Sequence, residues 1–439
     1  MRREIGACKR VGYLTRHLSY FRTLVAVIPS FMASESRGGC RAGTFLNPPA
    51  SGLGMSATTK RIESVDILRG IVMVIMALDH TRDFFGTFGI NPQNLEITTV
   101  PLFFTRFVTH ICAPTFFLLT GTGAGLASAS RSTTQLSRYL IVRGLLLIIL
   151  EVTLLRDLAY QFNFDYQVTL LLVIWALGWS MIFLGVIAFL PVPAIAAIGL
   201  VMILGHNALD GVQWNHWLWN ILHRPGFVLQ GDHTVFAAYP LIPWLGVTAV
   251  GYALAQVYRW DPDRRRRFLT TTGLACIAAF VVLRASNVYG DPVPWTTRDT
   301  TAFTILSFLN PNKYPPSLLF LLMTLGPALL ILRSVDRNVP RWLRPALVYG
   351  RVPFFYYFAH FALIHLLAAL TALVRNGSMH WLFESPNLGA YPFTPPPDWG
   401  FSLPVVYAVW ISVVLVLYWP CRKMAELKAT GRHPWLSYL

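Results

Sequence analysis

Charge is scarce in this chain. Only 13% of its 439 residues are Asp, Glu, Lys or Arg, with 20 acids against 36 bases. A soluble domain carries about 25%, so this deficit, beside 54% hydrophobic residues, excludes an ordinary water-soluble fold. The five cysteines, Cys8, Cys40, Cys112, Cys276 and Cys421, form no CxxC pair and no ligand spacing, which argues against a disulfide framework and a zinc site. No helix-length segment carries two carboxylates at metal spacing or an HxxxH pair, so no metal is expected. A Gly-rich phosphate loop, a GxSxG elbow and a Walker motif are all missing. The net charge of +16 does not indicate nucleic acid, because the bases lie in short clusters between apolar runs.

Those runs dominate the chain. Ten segments approach the ~20 residues a bilayer requires: 67–87, 101–127, 138–156, 168–188, 193–209, 237–257, 267–285, 315–333, 346–374 and 401–420. The expected fold is all-α, a polytopic transmembrane helix bundle of about ten spans. Lys60 and Arg61, Arg131 and Arg138, Arg259 and Arg264 to Arg267, Arg333 to Arg344, and Arg422 to Lys428 all fall on one side of such a bundle. The opposite loops, 210–236, 286–314 and 375–400, are long, aromatic and poor in bases. Both termini are therefore predicted cytoplasmic, in a multi-pass membrane protein. Residues 1–60, rich in Arg, Ser and Gly, read as an extension apart from the 61–439 domain: a targeting segment, a disordered stretch, or sequence upstream of a true start at Met55.

Ionisable groups at membrane depth default to function. The first span carries Asp66, Arg69, Met73, Met76, His80 and Asp83 at steps of three and four, which is one helix face. At 1.5 Å per residue His80 lies about 18 Å into a ~30 Å core, His110 of the second span roughly 13 Å in from the other side, and His360 about 21 Å in, with His365 beyond it. A histidine backed by a carboxylate suits general-base chemistry near neutral pH. Asp79, His80, Arg82 and Asp83, with His110 as partner, are therefore the candidate catalytic group. Arg106 sits one turn from His110, and the third span adds Arg143, Glu151 and Arg156. Each has a structural reading beside it. Asp66–Arg69 suits a helix start, Asp79–Arg82 an ion pair, Glu151 an anchor for Arg143 or Arg156, and Cys112 small packing. The Trp and His residues of the outer loops suit either sugar faces or the interfacial belt. The alternative to an enzyme is a secondary transporter of a small polar or anionic solute, although no internal repeat supports it.

Several stretches resemble the heparan-α-glucosaminide N-acetyltransferase catalytic-domain family, bacterial branch. They are Arg61-Ile-Glu-Ser-Val-Asp66-Ile-Leu-Arg69-Gly-Ile-Val-Met, Leu78-Asp79-His80-Thr-Arg82-Asp83-Phe-Phe, Thr109-His110-Ile-Cys-Ala-Pro114, Tyr239-Pro-Leu-Ile-Pro243-Trp244-Leu-Gly-Val, Tyr349-Gly-Arg351-Val-Pro-Phe and His433-Pro-Trp-Leu-Ser-Tyr-Leu439. The resemblance implies transfer of an acetyl group from cytoplasmic acetyl-CoA to a glycan amine or hydroxyl on the far side of the membrane. By spacing from Arg69-Gly70, the family's active-site Asn position falls on His80, and the offset of the family His lands near Asn91. On this reading Arg69, Arg106, Arg143 and Arg351 serve the cofactor. Arg82 or Arg106 stabilises the oxyanion, and His360, His365 and Glu151 line the acceptor side. The resemblance implies a bacterial inner membrane as the setting; the implied partners are the bilayer and an amino-sugar or glycan acceptor, and a homodimer is compatible with the sequence.

Overall fold

A computed structural model describes residues 61–386, 388, 393–432 and 436. The 1–60 extension, with Cys8 and Cys40, and most of the His433–Leu439 motif lie outside the described residues. Helix α1 (Glu63–Phe85) opens the fold with Glu63 and Asp66 in its first turn and Arg82 in its last, an arrangement that complements the helix dipole. It is followed by α2 (Val100–Phe107), a 3-10 turn (Val108–Ile111), α3 (Cys112–Ala127) and α4 (Thr133–Leu150). Thr99 caps α2, and Ser132 with Gln135 forms a capping box on α4. A wide π-helical segment, Glu151–Tyr160, extends α4.

Strand β1 (Val168–Leu171), α5 (Val173–Ile187), α6 (Val192–Gly205), the short α7 (Trp217–Leu222), β2 (Gly226–Leu229) and β3 (Thr234–Ala237) come next. After them come α8 (Leu241–Leu254), α9 (Pro262–Ser286), α10 (Thr301–Phe308), α11 (Leu318–Ser334), α12 (Ala346–Arg351), α13 (Pro353–Asn376) and α14 (Leu403–Ala429). Arg61–Ala429 make one unit.

The helical bundle of a multi-pass membrane protein is what these residues build. Among the described residues, six helical stretches are long and apolar enough to cross a membrane: Val100–Ala127, Val192–Leu209, Leu241–Arg259, Pro262–Ser286, Pro353–Asn376 and Leu403–Ala429. α5 and α11 are apolar but shorter. α1 carries six charged residues, Glu63, Asp66, Arg69, Asp79, Arg82 and Asp83, yet it is the axis of the bundle. It packs against α3, α11, α12, α13 and α14, and Ile67, Leu68, Val72 and Ala77 on it are fully buried.

Two features depart from the sequence expectation. The segment 346–374 is not one helix. α12 ends at Val352, whose backbone leaves helical geometry (φ −133°, ψ 52°), and Pro353 starts α13, as a proline that cannot donate an N–H must. α12 runs antiparallel to α1, with Gly350 against Asp66 and Gly70 against Ala346, while α13 turns back beside His80 and Phe84. The residues 168–171 are strand rather than helix. β1 pairs parallel with β3, Leu170 opposite Phe236, and β2 pairs antiparallel on its other edge, Phe227 opposite Phe236.

Candidate active site

Two cavities open within the bundle, stacked along α1. The first, about 240 Å³, lies toward the α1 N-terminus and is bordered by Arg61, Arg69, Arg143, Arg351 and Lys428. These cations come from four places: the start of α1, α4, the α12–α13 break and the end of α14. Asp66 offsets part of the charge, pairing with Arg61 and, at 2.9 Å, with Arg69, which also donates to the Gly350 carbonyl at 3.2 Å. Arg143 donates to the Tyr139 hydroxyl at 3.0 Å. The second cavity, about 510 Å³, surrounds the C-terminal half of α1 and is lined by Asp79, His80, Arg82, Asp83, Arg106, Thr109, Cys112, Tyr239, Lys313 and Tyr314, among others. Met76, Phe116, Val173 and Tyr357 border both. The three-stranded sheet covers the second cavity through Leu170, Phe227 and Phe236.

The acid–arginine knot is a continuous ion-pair network. Arg82 lies between two carboxylates, 2.7 Å from Asp79 and 2.6 Å from Asp83. Arg106 reaches across from α2 to the other Asp79 oxygen. His80 stands beside this network rather than inside it. Its Nδ1 is 3.9 Å from Asp83 Oδ2, too far for a hydrogen bond, so Asp83 does not hold the imidazole directly. The ring instead packs 3.9 Å, centroid to centroid, from Phe361 and 5.3 Å from His360.

Four of the sequence-predicted residues, His110, His360, His365 and Glu151, border neither cavity. The 3-10 turn at Val108–Ile111 shifts the helical phase. His110 is buried between Phe107 and Phe320, with neither ring nitrogen hydrogen-bonded among the described residues, while Thr109 and Cys112 take the cavity wall. His360 donates to the Tyr356 carbonyl at 2.8 Å and supports His80 from behind. His365 bridges the carbonyls of Ala159 and Leu382 and stacks on Phe162, which is joining work between segments. Glu151 holds neither Arg143 nor Arg156. It accepts the Trp175 backbone N–H at 2.7 Å and caps α5. Its other oxygen accepts from Tyr160, whose hydroxyl meets Tyr357 at 2.8 Å. Arg156 pairs with Asp157. Among the expected cofactor arginines, Arg69, Arg143 and Arg351 border the first cavity, and Arg106 borders the second.

Lys313 escaped the sequence reading. A lysine in a loop ordinarily reads as solvated, but this one is only 6% exposed. Burial, with Arg106 beside it, lowers its ammonium to about 8. Among the described residues, no group of three or more His, Cys, Asp or Glu is placed to hold a metal ion.

The family model of the heparan-alpha-glucosaminide N-acetyltransferase catalytic domain matches residues 61–288, from Arg61 of the first cavity through the end of α9. The chain belongs to this family. The matched region holds α1, α2, α3, the sheet and α8, and so carries His80 and the whole ion-pair network. Lys313, Arg351 and Lys428 come from helices and loops beyond it. No curated protein matches the chain. Membership makes the protein a membrane enzyme of acetyltransferase type. The first cavity fits the co-substrate that the family uses in general, because clustered arginines are the groups that bind phosphate oxygens.

Proposed function

We propose that the protein moves an acetyl group from cytoplasmic acetyl-CoA to a sugar amine or hydroxyl presented from the far side of the membrane. One observation carries this reading: a cavity rimmed by five cations and a cavity containing His80 meet at Met76, Phe116, Val173 and Tyr357. Acetyl-CoA supplies the acetyl group as a thioester. Arg61, Arg69, Arg143, Arg351 and Lys428 would hold its phosphates. About 17 Å of α1 separates Arg69 from His80, so the apolar walls between them would guide the arm. His80 would accept the proton of the acceptor amine or hydroxyl as the carbon–sulfur bond gives way to the new carbon–nitrogen or carbon–oxygen bond, and would return that proton to the departing sulfur. Arg82 and Arg106, already fixed by Asp79, would stabilise negative charge on the acyl oxygen.

The clustered bases at the end of the bundle where α1 begins and α14 ends support this sidedness. The acceptor's approach is suggested by Phe227, which borders both the second cavity and an outer groove lined by Trp214, His216 and Trp217. Ten crossings, with both termini cytoplasmic in an inner membrane, fit this arrangement, and the partners are the bilayer and a glycan or amino-sugar acceptor. The two carboxylates of the second cavity are held by Arg82 and Arg106, and no observation favours a transporter.

The test is direct. In detergent, CoA should raise the melting temperature by mass action, and the shift should disappear in Arg143→Met/Arg351→Met. His80→Ala should keep the shift and lose about 10²- to 10⁴-fold in acetyl transfer to glucosamine. No stabilisation by CoA, or an undiminished rate in His80→Ala, would overturn the reading.

A further inference from the structure

The His80 cavity does not balance its own charge. Two carboxylates, Asp79 and Asp83, face three permanent or near-permanent cations, Arg82, Arg106 and Lys313. The two arginines occupy the carboxylates. Arg82 contacts both, and Arg106 takes the remaining Asp79 oxygen. Lys313 has no ion pair with a carboxylate among the described residues. Its polar partner is Tyr314, whose ring lies 5.1 Å from the ammonium and whose hydroxyl is hydrogen-bonded to both Lys313 and Tyr239.

A buried ammonium without a counter-charge is unfavourable by several kcal/mol. Lysines ordinarily escape that cost by snorkelling to water, but the loop that carries Lys313 is anchored on both sides. Arg284 donates to the carbonyls of Val293, Ser307 and Phe308 at 2.8–3.0 Å. Asp291 accepts from the Asn312 N–H at 2.8 Å and the Ser317 hydroxyl at 2.7 Å. The fold therefore fixes a cation in the cavity where the described residues offer it a phenol but no carboxylate.

We propose that Lys313, with Tyr239 and Tyr314 beside it, is a subsite for an anionic group of the acceptor, a carboxylate, phosphate or sulfate ester near the amine or hydroxyl that His80 serves. The phosphates of the acyl donor have their own cations in the first cavity. The identity of the ligand as acceptor rests on the acetyltransferase reading, whereas the anion subsite itself rests on the cavity alone.

Glucosamine 6-phosphate and glucosamine are the probes, used with full-length protein in detergent. Calorimetry should show the phosphorylated sugar binding at least tenfold tighter. Lys313→Met should abolish that preference and lower kcat/KM for glucosamine 6-phosphate at least tenfold more than for glucosamine, mainly through KM, while Lys313→Arg retains the preference. Equal wild-type affinity for the two sugars, a comparison that needs no variant to fold, would overturn the subsite. So would a Lys313→Met defect confined to kcat and equal for both acceptors, which is the signature of acyl-oxygen stabilisation. Tight, Lys313-dependent binding of glucosamine 6-phosphate without acetyl transfer to either sugar would uphold the subsite and remove the acetyltransferase reading instead.

Discussion

His80 and His110 are similar in sequence terms, each an intramembrane histidine near an arginine, and the structure separates them by one turn of 3-10 helix. His80 borders the cavity, while His110 is enclosed by Phe107 and Phe320 with both nitrogens unsatisfied. Replacing such a group by an apolar ring of similar shape is close to neutral. His110→Phe should therefore melt within a few degrees of wild type and retain at least tenfold more transferase activity than His80→Ala, as scanning calorimetry and an acetyl-transfer assay would show. The Asp79 network should respond differently. Arg106→Met leaves Asp79 short of one partner, and breaking a buried pair from one side costs about 3–5 kcal/mol. The expected outcome is a large fall in melting temperature, partly recovered in Arg106→Met/Asp79→Asn.

The Lys313 subsite should also show in the pH dependence. Burial opposes ionisation of Tyr314, but Lys313 and Arg106 outweigh it and draw the hydroxyl down to about 8, the level to which burial and Arg106 lower Lys313 itself. The other groups facing this pair are Asp79, His80, Arg82, Asp83, Cys112 and Tyr239. As pH rises through about 8, Lys313 loses positive charge and Tyr314 gains negative charge, so both changes weaken anion binding. Affinity for glucosamine 6-phosphate should fall about tenfold between pH 7 and 9, and Lys313→Arg should flatten that dependence.

At the scale of elements, the helices were largely legible because a bilayer-length apolar run between basic clusters has few alternatives. What was not legible is how the runs end and break. α1 and α12 cross so closely that a Cβ on Gly70 would meet the Ala346 carbonyl, and one on Gly350 the carbonyl of Asp66. Small residues permit this approach between helices. Gly70→Ala should cost about 1–3 kcal/mol through overpacking and, because Arg69 and Arg351 flank the crossing, weaken CoA stabilisation in a thermal-shift assay. The sheet was equally hidden. Its strands are four residues long, and β1 meets β3 only after 62 intervening residues, Leu172 to His233, so no local pattern announces that its side chains cover the His80 cavity.

For the whole molecule, the stacked cavities make orientation a question of function. If the basic end is cytoplasmic, a membrane-impermeant maleimide should label Asn215→Cys in intact cells and reach Lys423→Cys only after permeabilisation, in a background lacking the native cysteines. The reverse pattern would separate the cation-rimmed cavity from cytoplasmic CoA. Sequence alone determined the membrane class, the approximate helices and the family, and it drew attention to the ionisable Asp79–Asp83 stretch, because hydropathy, basic clustering and motif spacing are properties of neighbours along the chain. Tertiary structure decided which ionisable groups share a cavity. It admitted His80 and Lys313, turned His110 into the packing, assigned Glu151 to a helix cap and His365 to two carbonyls, and divided the arginines between two chambers. The physical reason is that helical phase at a 3-10 turn, a break before a proline and the burial of a loop lysine are all set by contacts between segments distant in sequence.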